Sequence, residues 1–353
     1  MPSVPDPEIE THYDRGVEQP RLAREASLEW VRTQELLLRY LPAPPAAILD
    51  VGGGPGVYAG WLAERGYAVR LVDPVARHVA EARAAADAQA GHPFTAALGD
   101  ARQLEEIDDA FDAVLLMGPL YHLVESRDRL QALREAHRVV RPGGRVLGTA
   151  ISRFASLLDG LLSGWLSDPV FQGIVAADLR TGWHRNPEPD RHPEWFTTAY
   201  FHRPEELAAE VRGAGLRLEA LLNIEGPGWL VWRDLWDDPA RRAGLVEAAR
   251  AVEAEPSLLG CGAHLLAVAR RDPIPAAGQA RQTIRRLPHE IRTARLVLRV
   301  PRADDAAAIF QAYAQDPEGS RYLAWRPNRS LTETQQFVDC SAAAWNRGFQ
   351  FPG

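Results

Sequence analysis

Three aspartates and a run of alternating glycines are the residues of this chain with the clearest chemical potential. Each aspartate follows a short apolar run, and the glycines come directly after the first aspartate. Glycines spaced in this way predict a tight turn whose backbone N–H groups can approach a ligand closely. Carboxylates beside such a turn favour a ligand that carries positive charge and hydrogen-bond donors, and they would repel a pyrophosphate. The set consists of Asp50, Asp73 and Asp100 with Gly52, Gly54 and Gly56.

Alternating strands and helices are needed to bring these residues together. Short apolar runs predict the strands, and longer periodic stretches predict helices that cover both faces of a parallel sheet. In such a sheet ligands bind outside the carboxyl ends of the strands, where the three aspartates would meet. The predicted strands cover 46–50, 68–72, 94–98, 111–117, 145–151, 216–222 and 263–269, and the predicted helices cover 21–40, 56–65, 75–90, 126–140, 204–213 and 239–254.

The alternation is interrupted after the fifth predicted strand. Residues 152–202 contain two short helical stretches and a polar loop. We interpret them as a lid over the ligand edge of the sheet, and an additional structural pair of helices is the alternative. Tyr200 and His202 would project from this segment toward the ligand. The aromatic residues in and after it would suit either an apolar ligand pocket or internal packing of the lid.

Composition bounds the class of protein. A length of 353 residues predicts two domains, and a net charge of −7 argues against a general nucleic-acid-binding protein. Cys261 and Cys340 form no disulfide framework and no zinc motif, so we predict no metal site. The chain has no lysine, which excludes Schiff-base catalysis and a Walker-type phosphate loop. Without a signal peptide or an apolar run of membrane-spanning length, we predict a cytoplasmic protein that does not contact membranes.

The glycine run does not by itself decide which kind of nucleotide-type ligand is bound. The strict dinucleotide fingerprint G-x-G-x-x-G fails because its third glycine position falls on Val57. A relaxed form ending in alanine fits Gly54, Gly56 and Ala59, so the loop alone leaves dinucleotide binding open. The form D-x-G-x-G-x-G, which begins at Asp50, resembles motif I of class I S-adenosylmethionine (SAM) methyltransferases.

Residues 1 to about 271 as a whole resemble the UbiE-like, small-molecule branch of that family. The resemblance implies a Rossmann-like, doubly wound α/β sheet with SAM as the cofactor. It also implies a small-molecule acceptor, without indicating which atom is methylated or the oligomeric state. The motifs that carry it are 48–56, 71–74, 99–102, 111–123 and the segment 133–144 with its Arg-Pro-Gly-Gly turn.

The same resemblance assigns residues to the cofactor. Asp73 would bind the ribose hydroxyls, Asp100 the adenine amine, and Asp50 would hold the glycine loop. Tyr13 would close over the cofactor, unless it lies in a loose N-terminal segment. The remaining implied cofactor-binding residues are Gly52, Gly53, Gly54, Gly56, Pro74, Ala101, Met117 and Gly118.

Methyl transfer from a sulfonium depends mainly on alignment and on the exclusion of water. A base is needed only where the acceptor is protonated, and His122 with its neighbour Tyr121 is the predicted pair. Tyr200 and His202 form a second candidate pair, and each of the two histidines could instead serve the structure. A SAM-binding regulator without turnover, or a methyltransferase acting on protein or RNA, remains an alternative; the negative charge and the lid argue against the latter.

Residues 291–353 follow a proline-containing linker at 272–290 and resemble the opening of another family. The motif T-x-R-L-x-L-R, from Thr293 to Arg299, and the Asp304-Asp305 helix start are similar to GNAT acetyltransferases of the ribosomal-protein type. The acetyl-CoA loop of that family would lie beyond Gly353. We therefore expect a small α+β fragment without acetyl transfer.

Overall fold

The computed structural model describes Glu8 and residues 27–89, 91–273, 290–292, 297–299, 302–314 and 330–347. The chain divides into two compact units, Met1–Ile274 and Pro275–Gly353. Tyr13 and most of the predicted linker lie outside the described residues, so their predictions stay predictions.

The first unit is built around a mixed β-sheet. Its main part has the order β3-β2-β1-β4-β5-β9-β8, in which β1 to β5 run parallel and β9 runs antiparallel to both of its neighbours. The prediction of a wholly parallel sheet is therefore wrong at β9, because an apolar run predicts a buried strand but not its direction. The strands are β1 (Ala47–Val51), β2 (Ala68–Asp73), β3 (Thr95–Leu98), β4 (Phe111–Leu116), β5 (Val140–Ser152), β6 (Trp183–His184), β7 (Ala199–His202), β8 (Arg217–Asn223) and β9 (His264–Arg270).

Helices cover both faces of this sheet, as the predicted alternation requires. Alternate residues of β1 enter two different buried clusters: Leu49 packs with Leu133 and Leu207 on one face, and Ile48 packs with Leu36 and Leu62 on the other. The helices of the first unit are α1 (Leu28–Tyr40), α2 (Val57–Ala63), α3 (Ala76–Ala88), α4 (Pro119–His122), α5 (Ser126–Val139), α6 (Ala155–Ser163), α7 (Pro169–Thr181), α8 (Pro204–Gly213), α9 (Trp232–Leu235) and α10 (Pro239–Val252).

The segment 152–202 combines the two predicted helices, α6 and α7, with the two short strands β6 and β7. It has a small core of its own, which includes Phe171 and Trp195. β7 pairs in parallel with the last residues of β5, and β6 pairs with β7 in the antiparallel direction. The segment therefore extends one edge of the sheet, beside the carboxyl end of β5.

The second unit contains two short strands and two helices among its described residues. Strands β10 (Glu290–Arg292) and β11 (Val297–Arg299) are antiparallel, and α11 (Ala306–Ile309) and α12 (Leu331–Arg347) follow. Two hydrogen bonds of 2.7 Å join the Arg299 guanidinium to Asp305 at the start of the helical segment. The GNAT resemblance stays a prediction. In the described parts of both units, no helix is long and apolar enough to cross a membrane.

Candidate active site

A cavity of about 350 Å³ lies at the carboxyl ends of the parallel strands. Its walls come from the loops that follow β1, β2, β3 and β4, and from α1, β5, the start of β9 and the residue that follows β8. The cavity thus occupies the edge of the sheet where the sequence places the aspartates and the glycine loop.

The glycine loop after β1 has a backbone that suits glycine and leaves room for a ligand. The φ angles of Gly52, Gly54 and Gly56 are +71°, +56° and +89°, a region that other residues rarely adopt. A Cβ on Gly52 would lie 2.7 Å from a side-chain atom of Pro119, and a Cβ on Gly56 would lie 2.7 Å from the Phe94 ring. A Cβ on Gly54 would meet nothing within 4 Å, so the space beside Gly54 belongs to the cavity.

Asp73 fixes this loop to the end of β2. One carboxylate oxygen accepts a hydrogen bond of 2.9 Å from the Gly54 N–H, and the other accepts one of 2.9 Å from the Val75 N–H. His78 Nδ1 lies 3.1 Å from the second oxygen. Because each carboxylate oxygen has two lone pairs, Asp73 can accept further hydrogen bonds from hydroxyl groups in the cavity.

Asp50 is completely buried beneath the loop and does not line the cavity. Neither of its carboxylate oxygens has a hydrogen-bond partner among the described residues, and a Cβ on Gly53 would lie 2.5 Å from Oδ2. Burial, helped by the negative charge of Asp73, raises the pKa of Asp50 to about 7. Asp50 therefore supports the loop by packing, and its ionised form would be stabilised by a nearby cation.

Asp100 shares its charge with an arginine that the sequence analysis overlooked. Arg102 donates to Asp100 through its backbone N–H at 2.8 Å, through Nε at 3.0 Å and through Nη2 at 2.6 Å. A further hydrogen bond of 3.1 Å joins Arg102 to Asp128. All three residues line the cavity, together with Ala101. The Asp-x-Arg spacing was the available signal, because a guanidinium two residues on can fold back onto the carboxylate.

Tyr121 and His122 lie on α4, directly after β4, and line the cavity with Met117 and Gly118. The Tyr121 hydroxyl donates a hydrogen bond of 3.1 Å to the Met117 carbonyl. The His122 ring stacks against Phe196 from the segment 152–202, with centroids 5.8 Å apart. No described residue of that segment lines the cavity, so it supports α4 from behind, and its role as a lid stays a prediction.

Tyr200 and His202 belong to a buried ionic network outside the cavity wall. His202 Nε2 lies 3.2 Å from a Glu210 oxygen, and Arg129 donates to Glu210 at 2.7 and 3.0 Å. The Arg129 guanidinium also lies 3.7 Å from the centre of the Tyr200 ring. Burial lowers the pKa of His202 despite the opposing effect of Glu210. Neither residue lines the cavity, so this geometry does not support Tyr200 and His202 as catalytic residues, and their assignment stays a prediction.

Further residues of the cavity wall come from parts of the chain that the sequence analysis did not connect. Glu29 and Thr33 on α1, Tyr58 on α2 and His264 at the start of β9 all line it. His264 is hydrogen bonded to Glu225, which lies 39 residues earlier. No local spacing could have indicated this pair, because pairing between distant strands brings it together.

Known proteins with similar sequences are methyltransferases. Residues 48–144 match the family model described as "Methyltransferase domain". The ubiquinone biosynthesis O-methyltransferase of Paramagnetospirillum magneticum is 30% identical over 201 residues, which cover 57% of this chain and 70% of that protein. The uncharacterized methyltransferase Mb3374 of Mycobacterium bovis is 36% identical over 198 residues, which cover 55% of this chain and 66% of that protein.

A solved structure supports the fold alone. A chain of the complex between the Haloferax volcanii Trm112 methyltransferase activator and a methyltransferase superposes with a TM-score of 0.50 at 18% identity. The match covers 75% of this chain and 98% of that one.

The doubly wound sheet, the open glycine loop and the acidic residues at its strand ends define a Rossmann-like methyltransferase site. With the sequence relatives, they place this chain in the class I SAM-dependent methyltransferase family, and it is a SAM-dependent enzyme. The site fits that cofactor, because the space beside Gly54 is open and the carboxylates of Asp73 and Asp100 line the same cavity. This outcome excludes the dinucleotide alternative that the relaxed glycine fingerprint left open.

Proposed function

We propose that this enzyme transfers the methyl group of SAM to a hydroxyl oxygen of a small molecule. The observation that carries the proposal is a single cavity that joins the glycine loop to a second wall containing His122, Thr149 and His264. Its volume of about 350 Å³ lies within the range of small-molecule sites. The name of the relative from Paramagnetospirillum magneticum, an O-methyltransferase, supports oxygen as the acceptor atom.

The cofactor lies over β1, β2 and β3 in this proposal, and the acceptor lies over β4, β5 and β9. Asp73 accepts hydrogen bonds from the ribose hydroxyls and Asp100 from the adenine amine, while Met117 and Gly118 border the methionine end. SAM supplies a methyl group that is already activated on a sulfonium. The protein then has to align the acceptor oxygen with this group and to keep water out. Tyr121 and His122 border the acceptor from α4, where His122 can accept a proton.

Release of S-adenosylhomocysteine tests this proposal. The full chain with SAM is incubated with a panel of small phenols, catechols and aliphatic alcohols, and the product is measured by mass spectrometry. We expect release with at least one hydroxyl compound, and methylation on its oxygen. Binding of SAM in calorimetry without release for any compound would favour a non-catalytic regulator. Release only with a protein or RNA substrate would favour the macromolecular alternative.

The alanine variant of Gly54 tests the position of the cofactor. Its Cβ would enter the open space of the cavity without touching the protein, so it obstructs only a ligand. We expect Gly54→Ala to weaken SAM binding about tenfold or more, which corresponds to about 1.4 kcal/mol, as measured by calorimetry.

Gly91→Ala is the matched control for Gly54→Ala. Gly91 has a φ of +88° and also open space around its missing Cβ, but it does not line the cavity. Both variants carry the same kind of backbone strain, so their melting temperatures should fall by similar amounts, and only Gly54→Ala should lose SAM affinity. Equal SAM affinity in the two variants would contradict this placement of the cofactor.

A further inference from the structure

A histidine and a glutamate meet on the acceptor side of the cavity. His264 is the first residue of β9, and it pairs with Ile151 near the end of β5 because β9 runs antiparallel. Glu225 lies two residues after β8, which ends beside the start of β9, where Asn223 pairs with Leu265. Both residues therefore lie at the edge of the sheet that holds the cavity, and His264 forms part of the cavity wall.

The hydrogen bonds of Glu225 determine the chemistry of the His264 ring. Glu225 has no exposed surface, and its two carboxylate oxygens face His264 Nδ1 at 2.5 Å and the His264 backbone N–H at 3.1 Å. Because a carboxylate can only accept, Nδ1 carries the hydrogen, and the lone pair of the neutral imidazole is on Nε2. A buried carboxylate in this position fixes the tautomer and stabilises the imidazolium that forms when Nε2 takes up a proton.

Glu29, Cys261 and Trp229 are further residues close to the His264–Glu225 pair. Glu29 on α1 has a carboxylate oxygen 3.9 Å from His264 Nδ1, and it lines the cavity as well. The Cys261 thiol lies close to Glu225; its pKa is raised by burial and, to a smaller extent, by the Glu225 charge. The Trp229 ring lies edge-on to His264 at 6.4 Å and carries no charge. Two carboxylates, those of Glu225 and Glu29, thus have oxygens 2.5 and 3.9 Å from His264 Nδ1.

We propose that His264 is the general base that deprotonates the acceptor hydroxyl, and that Glu225 is its positioning residue. This inference rests on the proposed O-methyl transfer. The proton moves from the acceptor oxygen to Nε2, and an electron pair of that oxygen forms the bond to the methyl carbon as the carbon–sulfur bond of the sulfonium breaks. The sulfur keeps the electron pair of the broken bond, and the imidazolium later returns its proton to solvent.

His122, the base expected from the sequence, is the alternative candidate for the base. Its ring packs against the rings of Tyr121 and Phe196, with centroid distances of 4.7 and 5.8 Å.

The main alternative to this proposal is a metal ion that replaces the proton between His264 Nδ1 and Glu225. The ligand atoms of Glu29, Glu225 and His264 lie within 4.8 Å of one another, close enough for one divalent cation. A metal would use the Nδ1 lone pair and leave a hydrogen on Nε2, which could then no longer accept a proton. The two possibilities therefore predict opposite tautomers.

Ionisation of a bound chromogenic phenol tests the base without methyl transfer. The full chain with S-adenosylhomocysteine is titrated with 4-nitrocatechol at a pH below the solution pKa of this compound. The amount of bound phenolate is measured from its absorbance. We expect wild type to bind it largely as the phenolate. His264→Gln should bind S-adenosylhomocysteine normally, lose the phenolate signal, and lower the turnover of any hydroxyl acceptor by about a hundredfold or more.

Glu225→Gln and His137→Gln complete the design. Glutamine keeps an acceptor for Nδ1 but removes the charge, so the pH midpoint of phenol ionisation should move upward; a purely structural role of Glu225 would lower binding without moving the midpoint. His137 lies at the end of α5 and does not line the cavity, so His137→Gln should behave as wild type. Loss of the phenolate signal in His122→Gln but not in His264→Gln would overturn the proposal.

The nitrogen shifts of the His264 ring provide a measurement that needs no acceptor. In ¹⁵N NMR of the full chain at neutral pH, we expect hydrogen on Nδ1 and not on Nε2. The opposite tautomer, or a phenolate signal that disappears with a chelator and returns with a divalent cation, would overturn the base assignment. The expected tautomer together with phenol ionisation, but with no methylation of any hydroxyl compound, would instead refute the proposed function.

Discussion

At the scale of single residues, the three aspartates of the site are in different electrostatic states. Asp73 accepts two backbone hydrogen bonds and Asp100 is paired with Arg102. Asp50 has neither kind of partner among the described residues and is fully buried. The cost of ionising Asp50 is therefore the least compensated of the three, and a cation bound beside the loop would reduce it.

Stability as a function of pH tests this state of Asp50. Its pKa is about 7 in the folded protein and 3.8 as the ordinary value, so the unfolded state releases its proton first as the pH rises. The free energy of unfolding should therefore fall between about pH 4 and pH 7, by at most about 4 kcal/mol from this residue. Asp50→Asn removes this dependence. Measured by urea unfolding, its stability relative to wild type should rise by about 3 kcal/mol from pH 5 to pH 8.

Parallel stability curves of Asp50→Asn and wild type would contradict the raised pKa. A second measurement separates packing from charge: the affinity of wild type for SAM should increase as the pH rises through 7, because a cation binds better beside an ionised Asp50. Asp50→Asn should show a flat profile over the same range. An identical increase in both proteins would mean that another group titrates.

At the scale of elements, one buried ionic network joins α5, β7 and α8 behind the site. Arg129 on α5 pairs with Glu210 on α8 and also donates to the carbonyls of Leu123 and Val124, which directly follow α4. His202 at the end of β7 contacts the same glutamate. The network thus fixes the chain segment that follows Tyr121 and His122, although its own residues are outside the cavity wall.

Removing one charge of this network should be costly. Glu210→Gln leaves the buried Arg129 guanidinium without its counter-charge, and we expect it to lower the free energy of unfolding by about 3 kcal/mol in urea titrations. Glu81→Gln removes the corresponding partner of an exposed pair, Arg77–Glu81, and should change stability by less than about 1 kcal/mol. Similar losses in the two variants would show that burial does not determine the strength of these pairs.

Local sequence patterns predicted the positions of helices and strands better than they predicted which strands pair with each other. The helix predicted over 204–213 agrees with α8, because Pro204 and the two following glutamates mark a helix start in any context. The strands β6 and β7 were missed, since two and four residues give no readable alternation. The direction of β9, and with it the meeting of His264 and Glu225, depends on pairing between strands far apart in the chain. The cavity residues that follow β1 to β4 could therefore be placed from the sequence, and those contributed by the region of β8 and β9 could not.

At the scale of the whole molecule, the site belongs to one of the two units. All the residues that line the cavity lie between Glu29 and His264, within the first unit, which extends to Ile274. The motifs for SAM binding all precede residue 145, and the proposed acceptor wall adds residues from α1, β5, the start of β9 and the residue that follows β8. A chain that ends after β9 thus contains every described residue that has a proposed role in methyl transfer.

Removal of the second unit tests whether the first unit alone is sufficient for binding and methyl transfer. A protein of residues 1–274 should bind S-adenosylhomocysteine in calorimetry with the affinity of the full chain, because no cavity residue is removed. Its release of S-adenosylhomocysteine with any acceptor should also be unchanged. Circular dichroism of the truncated protein controls for folding, and a folded product with weaker binding would mean that the second unit contributes to the site.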